Sequence, residues 1–165
     1  MTMELASAWL EQQHQRIDAG ILGVLDGSGT QAQLRHALML LRAHLHLEET
    51  VLFPVLEAAN LAMPVFVMKR EHGQMWPLLQ RLVADEADAL DDGSRKALCG
   101  DLNQLLQIHN GKEEQILYTV VDRLVAEGDE DLALASLERV RAPQDWLPAA
   151  AARQGPRGRA TIFTP

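Results

Sequence analysis

Apolar residues recur along this chain at the three- and four-residue spacing of a single helix face, and strand-like alternation is nearly absent. Turn signals cut the pattern into long segments. "DGSGT" at 26–30 separates a first helix, roughly 4–25, from a second that runs from Gln31 to about Ala59 and stops at "NLAMP". Pro64 suits the first turn of a third helix, continuing to about Leu90. "DDGS" at 91–94 offers a cap for a fourth, Ser94 to Ala126, and "EGDEDL" turns into a short fifth, about 131–141. Long segments with short connectors predict an all-α, antiparallel up-down-up-down four-helix bundle over 1–128, followed by a short C-terminal helix and an irregular tail over 129–165.

The stripes that face inward carry polar residues at their centres. In the second helix Ala37, Leu41, His44, Glu48, Val51, Leu52 and Val55 share a face, and Glu48 lies only about 40° around from His44. His46, about 160° from His44, is expected to face solvent. Glu49, about 140° away, is a poor candidate for the same point, and His36 lies near the stripe's edge. The fourth helix repeats the arrangement, with Leu98, Leu102, Leu105, His109, Glu113, Ile116 and Val120 on one stripe. His14 falls among Leu10, Ile17, Ile21 and Leu25; His72 falls among Val65, Met68, Trp76, Leu79 and Val83. Counted from one end of the bundle, these six side chains lie at levels that agree within roughly 10 Å, so they can converge.

Composition narrows the classes. With 47% apolar and 23% charged residues the chain is an ordinary globular one, and a net charge of −8 argues against a nucleic-acid surface. Cys99 is the single cysteine, which excludes an internal disulfide or a cysteine-rich metal site. The N-terminus lacks the features of a signal peptide, and no run of ~18 consecutive apolar residues suggests a spanning helix. A reduced, cytoplasmic setting without nucleic-acid or membrane partners is the expectation. No Ser/His/Asp arrangement, glycine-rich phosphate loop or nucleotide motif is present.

One histidine on an apolar stripe is ordinarily a hydrogen-bonded core residue, and Met75, Trp76 and Cys99 read as packing. Four histidines and two carboxylates at one level are different, because an uncompensated buried carboxylate costs several kcal/mol. A metal centre removes that cost. Six ligands exceed one tetrahedral zinc and suit a pair of ions with carboxylates able to bridge. The nitrogen- and oxygen-bearing set favours iron, with manganese or zinc behind it. It is richer in histidine than ferritin-like di-iron sites, which moves the expected chemistry toward binding a small diatomic ligand.

The motifs "QQHQRID", "HLHLEETVLFP", "KREHGQMWPLL" and "HNGKEEQILY" resemble the hemerythrin-like family, the hemerythrin HHE cation-binding domain, over roughly 5–125. The resemblance implies two non-haem iron ions bridged by an oxo or hydroxo group. Their ligands would be His14, His44, Glu48, His72, His109 and Glu113, with both glutamates as bridges. There is one departure: oxygen-carrying members place a second histidine four residues after the first in the third helix, where this chain has Trp76. One ion is then less saturated, or His36 or water completes it, which argues against simple reversible oxygen carriage. The set is similar to family members linked to iron–sulfur repair under nitrosative stress, without their extra cysteine-bearing domain. A protein that binds or senses O2 or NO, or handles iron, is therefore expected. The alternatives are a di-iron reductase of NO or peroxide, an iron donor in iron–sulfur cluster repair, or a metal-buffering or structural helical bundle. A tail carrying Trp146 and Phe163 suggests a route to a homodimer.

Overall fold

The computed structural model describes residues 4–84 and 89–154, and among them every regular element is helical. In chain order these are α1 (Ala6–Asp26), α2 (Gln31–Leu47), α3 (Phe53–Leu56), α4 (Ala62–Val83), α5 (Asp92–Lys112), α6 (Tyr118–Ala126), α7 (Leu134–Leu137) and α8 (Ala149–Gln154). Wider π-helical turns at Glu48–Leu52, Glu57–Leu61 and Glu113–Leu117 join α2 to α3, α3 to α4 and α5 to α6.

The helix starts are written in side chains. At α2, the Gln33 backbone N–H donates to Thr30 Oγ1 at 3.1 Å while the Gln33 side-chain oxygen accepts the Thr30 N–H at 2.9 Å. At α5, Asp91 accepts the Ser94 N–H at 2.7 Å. Before α4 the chain leaves the helical path at Ala59 and Asn60, and Asn60 takes φ 68°. Asparagine tolerates that left-handed conformation better than most residues with a Cβ. The stretch Gln31–Val83 contains an 18-residue window of mean hydropathy 1.8, long and apolar enough by composition to cross a membrane, but the break at Asn60 interrupts the stretch.

α1 packs along α2, α2 against α4, α4 against α5, and α5 back against α1, so the four long helices close a ring. The closest approach is glycine-dependent: a Cβ on Gly20 would stand 2.3 Å from that of Ala37. Inside the ring lie two apolar clusters. One gathers Ile17, Ile21, Leu41, Leu45, Met75, Trp76, Leu102 and Leu106. The other gathers Leu10, Leu52, Phe53, Val65, Met68, Leu117, Tyr118 and Val121. Each long helix carries a buried histidine near the boundary of the two clusters, which puts a polar layer between two cores.

The C-terminal part differs from its sequence reading. The third long helix ends at Val83 and not near Leu90; residues 85–88 lie outside the described residues. The expected fifth helix over 131–141 contracts to Leu134–Leu137, with Leu132 and Leu137 as its buried anchors. Trp146 packs edge-on against Trp76 and His46, with ring centroids 5.8 and 5.2 Å apart. A Cβ on Gly73 would meet that of Ala150 at 2.7 Å, so α8 lies flush on α4. Trp146 is thus engaged by its own chain and half-buried there; Phe163 lies outside the described residues.

The left-handed residue gives a stability test. Asn60→Gly is expected to leave stability within ~0.5 kcal/mol, whereas Asn60→Val lowers it by about 1 kcal/mol or more, read from urea unfolding midpoints.

Candidate metal centre

The six side chains singled out in the sequence meet between the two cores. His14 comes from α1, His44 from α2, His72 from α4 and His109 from α5, while Glu48 and Glu113 each open a π-helical turn. All six are buried, and Glu48, His72 and Glu113 have no exposed surface. They form two groups, His14–His44–Glu48–Glu113 and Glu48–His72–His109–Glu113, whose donor atoms lie within 4.8 Å of one another in each group. Both glutamates belong to both groups.

The imidazoles face inward through Nε2. His14 Nε2 lies 3.0 Å from His44 Nε2, and His72 Nε2 lies 3.2 Å from His109 Nε2. Each carboxylate divides its oxygens between the groups. Glu48 turns Oε1 to His44 (3.1 Å) and Oε2 to His72 (3.3 Å); Glu113 turns Oε2 to His14 (3.2 Å) and Oε1 to His109 (2.8 Å). The outer nitrogens are held as well. His14 Nδ1 contacts Glu114 at 2.8 Å, His44 Nδ1 the Gln13 oxygen at 2.6 Å, His72 Nδ1 Glu49 at 2.9 Å and His109 Nδ1 Glu71 at 2.9 Å. Four acceptors on four Nδ1 atoms place the protons outward and leave each neutral ring's Nε2 lone pair aimed at the centre, the tautomer a metal requires.

These residues fit a metal on their own geometry. Two nitrogens at about 2.1 Å from one ion and at right angles to it stand ~3 Å apart, the separation seen in both histidine pairs. Glu48 Oε2 and Glu113 Oε1 are buried, and with the ring protons on Nδ1 the imidazole nitrogens 3.3 and 2.8 Å away give them no hydrogen bond. Orphaned anionic oxygens facing lone pairs is the arrangement a cation relieves.

Without a cation, protons take its place. Burial opposes charging His14, but the hydrogen bond and charge of Glu113, with Glu48 and Glu114 behind them, outweigh it and raise its pKa to about 9. Burial likewise opposes charging His109, while Glu113, Glu71 and Glu48 raise it to about 10. His72 is raised against its burial by Glu48 and Glu49. Glu48 is held well below the ordinary carboxylate range: burial pushes it up, and His44 and His72 pull it down further. Glu113 is lowered by His109 and His14 despite its burial and the neighbouring Glu48.

Several neighbours depart from the positions a uniform helix predicts. His46 is buried against Trp146 and does not face solvent, because the C-terminal segment covers it; burial and Arg42 lower its pKa. Glu49 reaches the outer nitrogen of His72 and also accepts the Ala149 N–H at 2.9 Å. His36 cannot complete the site: it is exposed and lines an open surface cleft of about 600 Å³ with Arg16, Gly20 and Gln33. Ile116 is 44% exposed, and Leu117 and Tyr118 occupy the interior instead, since the π-helical turn advances each residue less than 100°. Gln13, Glu71, Glu114 and Tyr118 also belong to the centre. An interior hydroxyl five residues after Glu113 parallels Phe53 five after Glu48, a repeat visible in the sequence.

A helical bundle enclosing shared carboxylates and inward imidazoles defines a cation-binding helical protein. Residues 5–121 match the hemerythrin HHE cation-binding domain, and the chain belongs to that family. No curated protein and no solved structure matches the chain.

The raised imidazoles set a pH dependence for the metal-free chain. Their folded pKa values exceed the ordinary 6.5, so this stabilisation is complete below that pH and is lost as pH rises through about 9 and 10. The melting temperature of the metal-free chain is expected to fall between pH 7 and pH 10, with losses of a few kcal/mol in all. A flat profile over that window contradicts the assignment.

Proposed function

We propose that this chain is a non-haem di-iron protein that binds or senses O2 or NO, or handles iron, on an antiparallel up-down-up-down four-helix bundle. The observation that carries this reading is the division of two fully buried carboxylates between two inward-facing histidine pairs. His14 and His44 would hold one ion, His72 and His109 the other, with Glu48 and Glu113 shared. A mixed imidazole and carboxylate set suits iron, with zinc or manganese as lesser occupants. Bound iron would supply reversible one-electron chemistry and affinity for diatomic ligands.

The remaining work is done by the chain's own groups. Glu114, Gln13, Glu49 and Glu71 fix the ring tautomers and orientations. Lys112 pairs with Glu71 beside His109, so that carboxylate is ionised; burial opposes this, but His109 and Lys112 lower its pKa to about 2. Leu41, Met75, Trp76 and Leu106 close one side of the layer, and Phe53 and Met68 the other, which excludes bulk water from the centre. Trp76 stands one turn past His72, where oxygen carriers of this family place a further histidine, so the second group would lack that protein ligand and leave a coordination position for a small exogenous one.

The test is to purify the protein aerobically, assay its metal, and record visible spectra through dithionite reduction and reoxygenation, followed by NO titration with a reductant. The expected result is about two irons per chain and absorption that disappears on reduction and returns with O2. Stoichiometric NO binding supports a binding or sensing protein; steady NO consumption moves the reading to a reductase. A colourless zinc protein that ferrous iron leaves unchanged overturns it.

A further inference from the structure

The centre is built from two halves that repeat in sequence and in contact. His44, Glu48, Glu49 and Phe53 recur at one constant interval as His109, Glu113, Glu114 and Tyr118. A π-helical turn starts on Glu48 and another on Glu113. His72 is held at Nδ1 by Glu49 and stacks on Phe53, with ring centroids 5.4 Å apart and planes at 23°. His14 is held at Nδ1 by Glu114 and stacks on Tyr118, at 5.5 Å and 27°. The halves diverge where an apolar ring in one becomes a phenol in the other.

That phenol is the single tyrosine of the chain, and its oxygen lies among all four donors of the first group. It is 3.0 Å from His14 Nε2, 3.2 Å from His44 Nε2, 2.7 Å from Glu48 Oε1 and 3.1 Å from Glu113 Oε2. A phenol has one proton to give, and the Glu48 contact is the shortest of the four. With the imidazole protons held outward by Glu114 and Gln13, the other three neighbours also present lone pairs. In that metal-ready tautomer five electron-rich atoms converge around one proton, and a cation satisfies them together. Phe53 puts no such atom beside the second group, and the two carboxylate oxygens there, Glu48 Oε2 and Glu113 Oε1, are the unpartnered ones.

The geometry points to Tyr118 as a fifth protein ligand, through its phenol oxygen, of the ion held by His14 and His44. This inference rests on the di-iron reading and deepens it. On ligation the phenol proton is released to solvent and the oxygen donates to the metal; no oxidant or reductant is consumed. Tyrosine is an established iron ligand in other settings, and as an anion it favours the ferric state. The two ions are therefore unequal: the first is closed by Tyr118, and the second, flanked by Phe53 and Trp76, keeps the open position. An exogenous ligand is directed to the His72–His109 side.

The test compares the parent chain with Tyr118→Phe and Phe53→Tyr, each loaded with iron, oxidised in air and assayed for metal. The parent is expected to show an intense phenolate-to-iron absorption in the visible, with tyrosinate ring modes in resonance Raman. Tyr118→Phe keeps its iron and loses both signals. Phe53→Tyr gains a second phenolate signal and loses most of its binding of azide, the probe for the open position. Two irons in the parent with a spectrum unchanged in Tyr118→Phe overturns the inference and leaves the di-iron reading standing. If the chain takes up zinc and not iron, the near-ultraviolet tyrosinate difference on zinc addition decides it, because no other tyrosine contributes. Its presence in the parent and loss in Tyr118→Phe supports ligation; its absence from the parent overturns it. A chain that takes up neither metal overturns the proposed function and this inference together.

Discussion

Two carboxylates with no exposed surface, Glu48 and Glu113, are the constraint around which the molecule is arranged. An ionised carboxylate taken out of water costs several kcal/mol even after the protein relaxes around it. Their pKa values are nevertheless depressed, so the fold must supply positive charge at the bundle's centre. Protons on imidazoles meet that demand without metal, and cations meet it better, because they also use the four inward lone pairs. Every long helix contributes one histidine to this layer, so the layer ties the four helices together between the two apolar clusters.

The outer contacts make that layer rigid. Each inward histidine has its own acceptor at Nδ1, and three of the four acceptors are glutamates. The C-terminal segment joins this outer ring through one backbone N–H, from Ala149 to Glu49. Trp146 fixes the approach by stacking edge-on against Trp76 and His46. Gly73 allows it by leaving room for Ala150. The tail is thereby part of the support for His72, two bonds removed from the centre.

Much of this was legible in the sequence because it obeys helical spacing. The long segments and the inward placement of His14, His44, Glu48, His72, His109 and Glu113 all come from residues three, four and seven apart. The illegible parts arise from departures from that spacing. A π-helical turn starting on each glutamate rotates the residues downstream of it, which exposes Ile116 and brings in Tyr118. On a uniform helix Tyr118 would lie about 140° from Glu113 and far from the centre. His46 and Glu49 escape the periodicity for another reason: their partners, Trp146 and Ala149, come from a distant segment that leaves no periodic trace. The third-helix histidine missing at Trp76 follows from helical spacing, whereas the oxygen in the opposite half is signalled only by the repeat that sets Tyr118 after Glu113 as Phe53 follows Glu48.

The central claim is that the two carboxylates are shared by two ions. The most direct measurement is the number of ferrous equivalents bound by the metal-free parent and by Glu48→Ala, titrated anaerobically. Shared carboxylates predict about two equivalents in the parent and loss of tight binding at both positions in the variant, since each ion loses an anionic ligand. A parent that saturates at one equivalent, or a variant that loses one ion and holds the other unchanged, would contradict it.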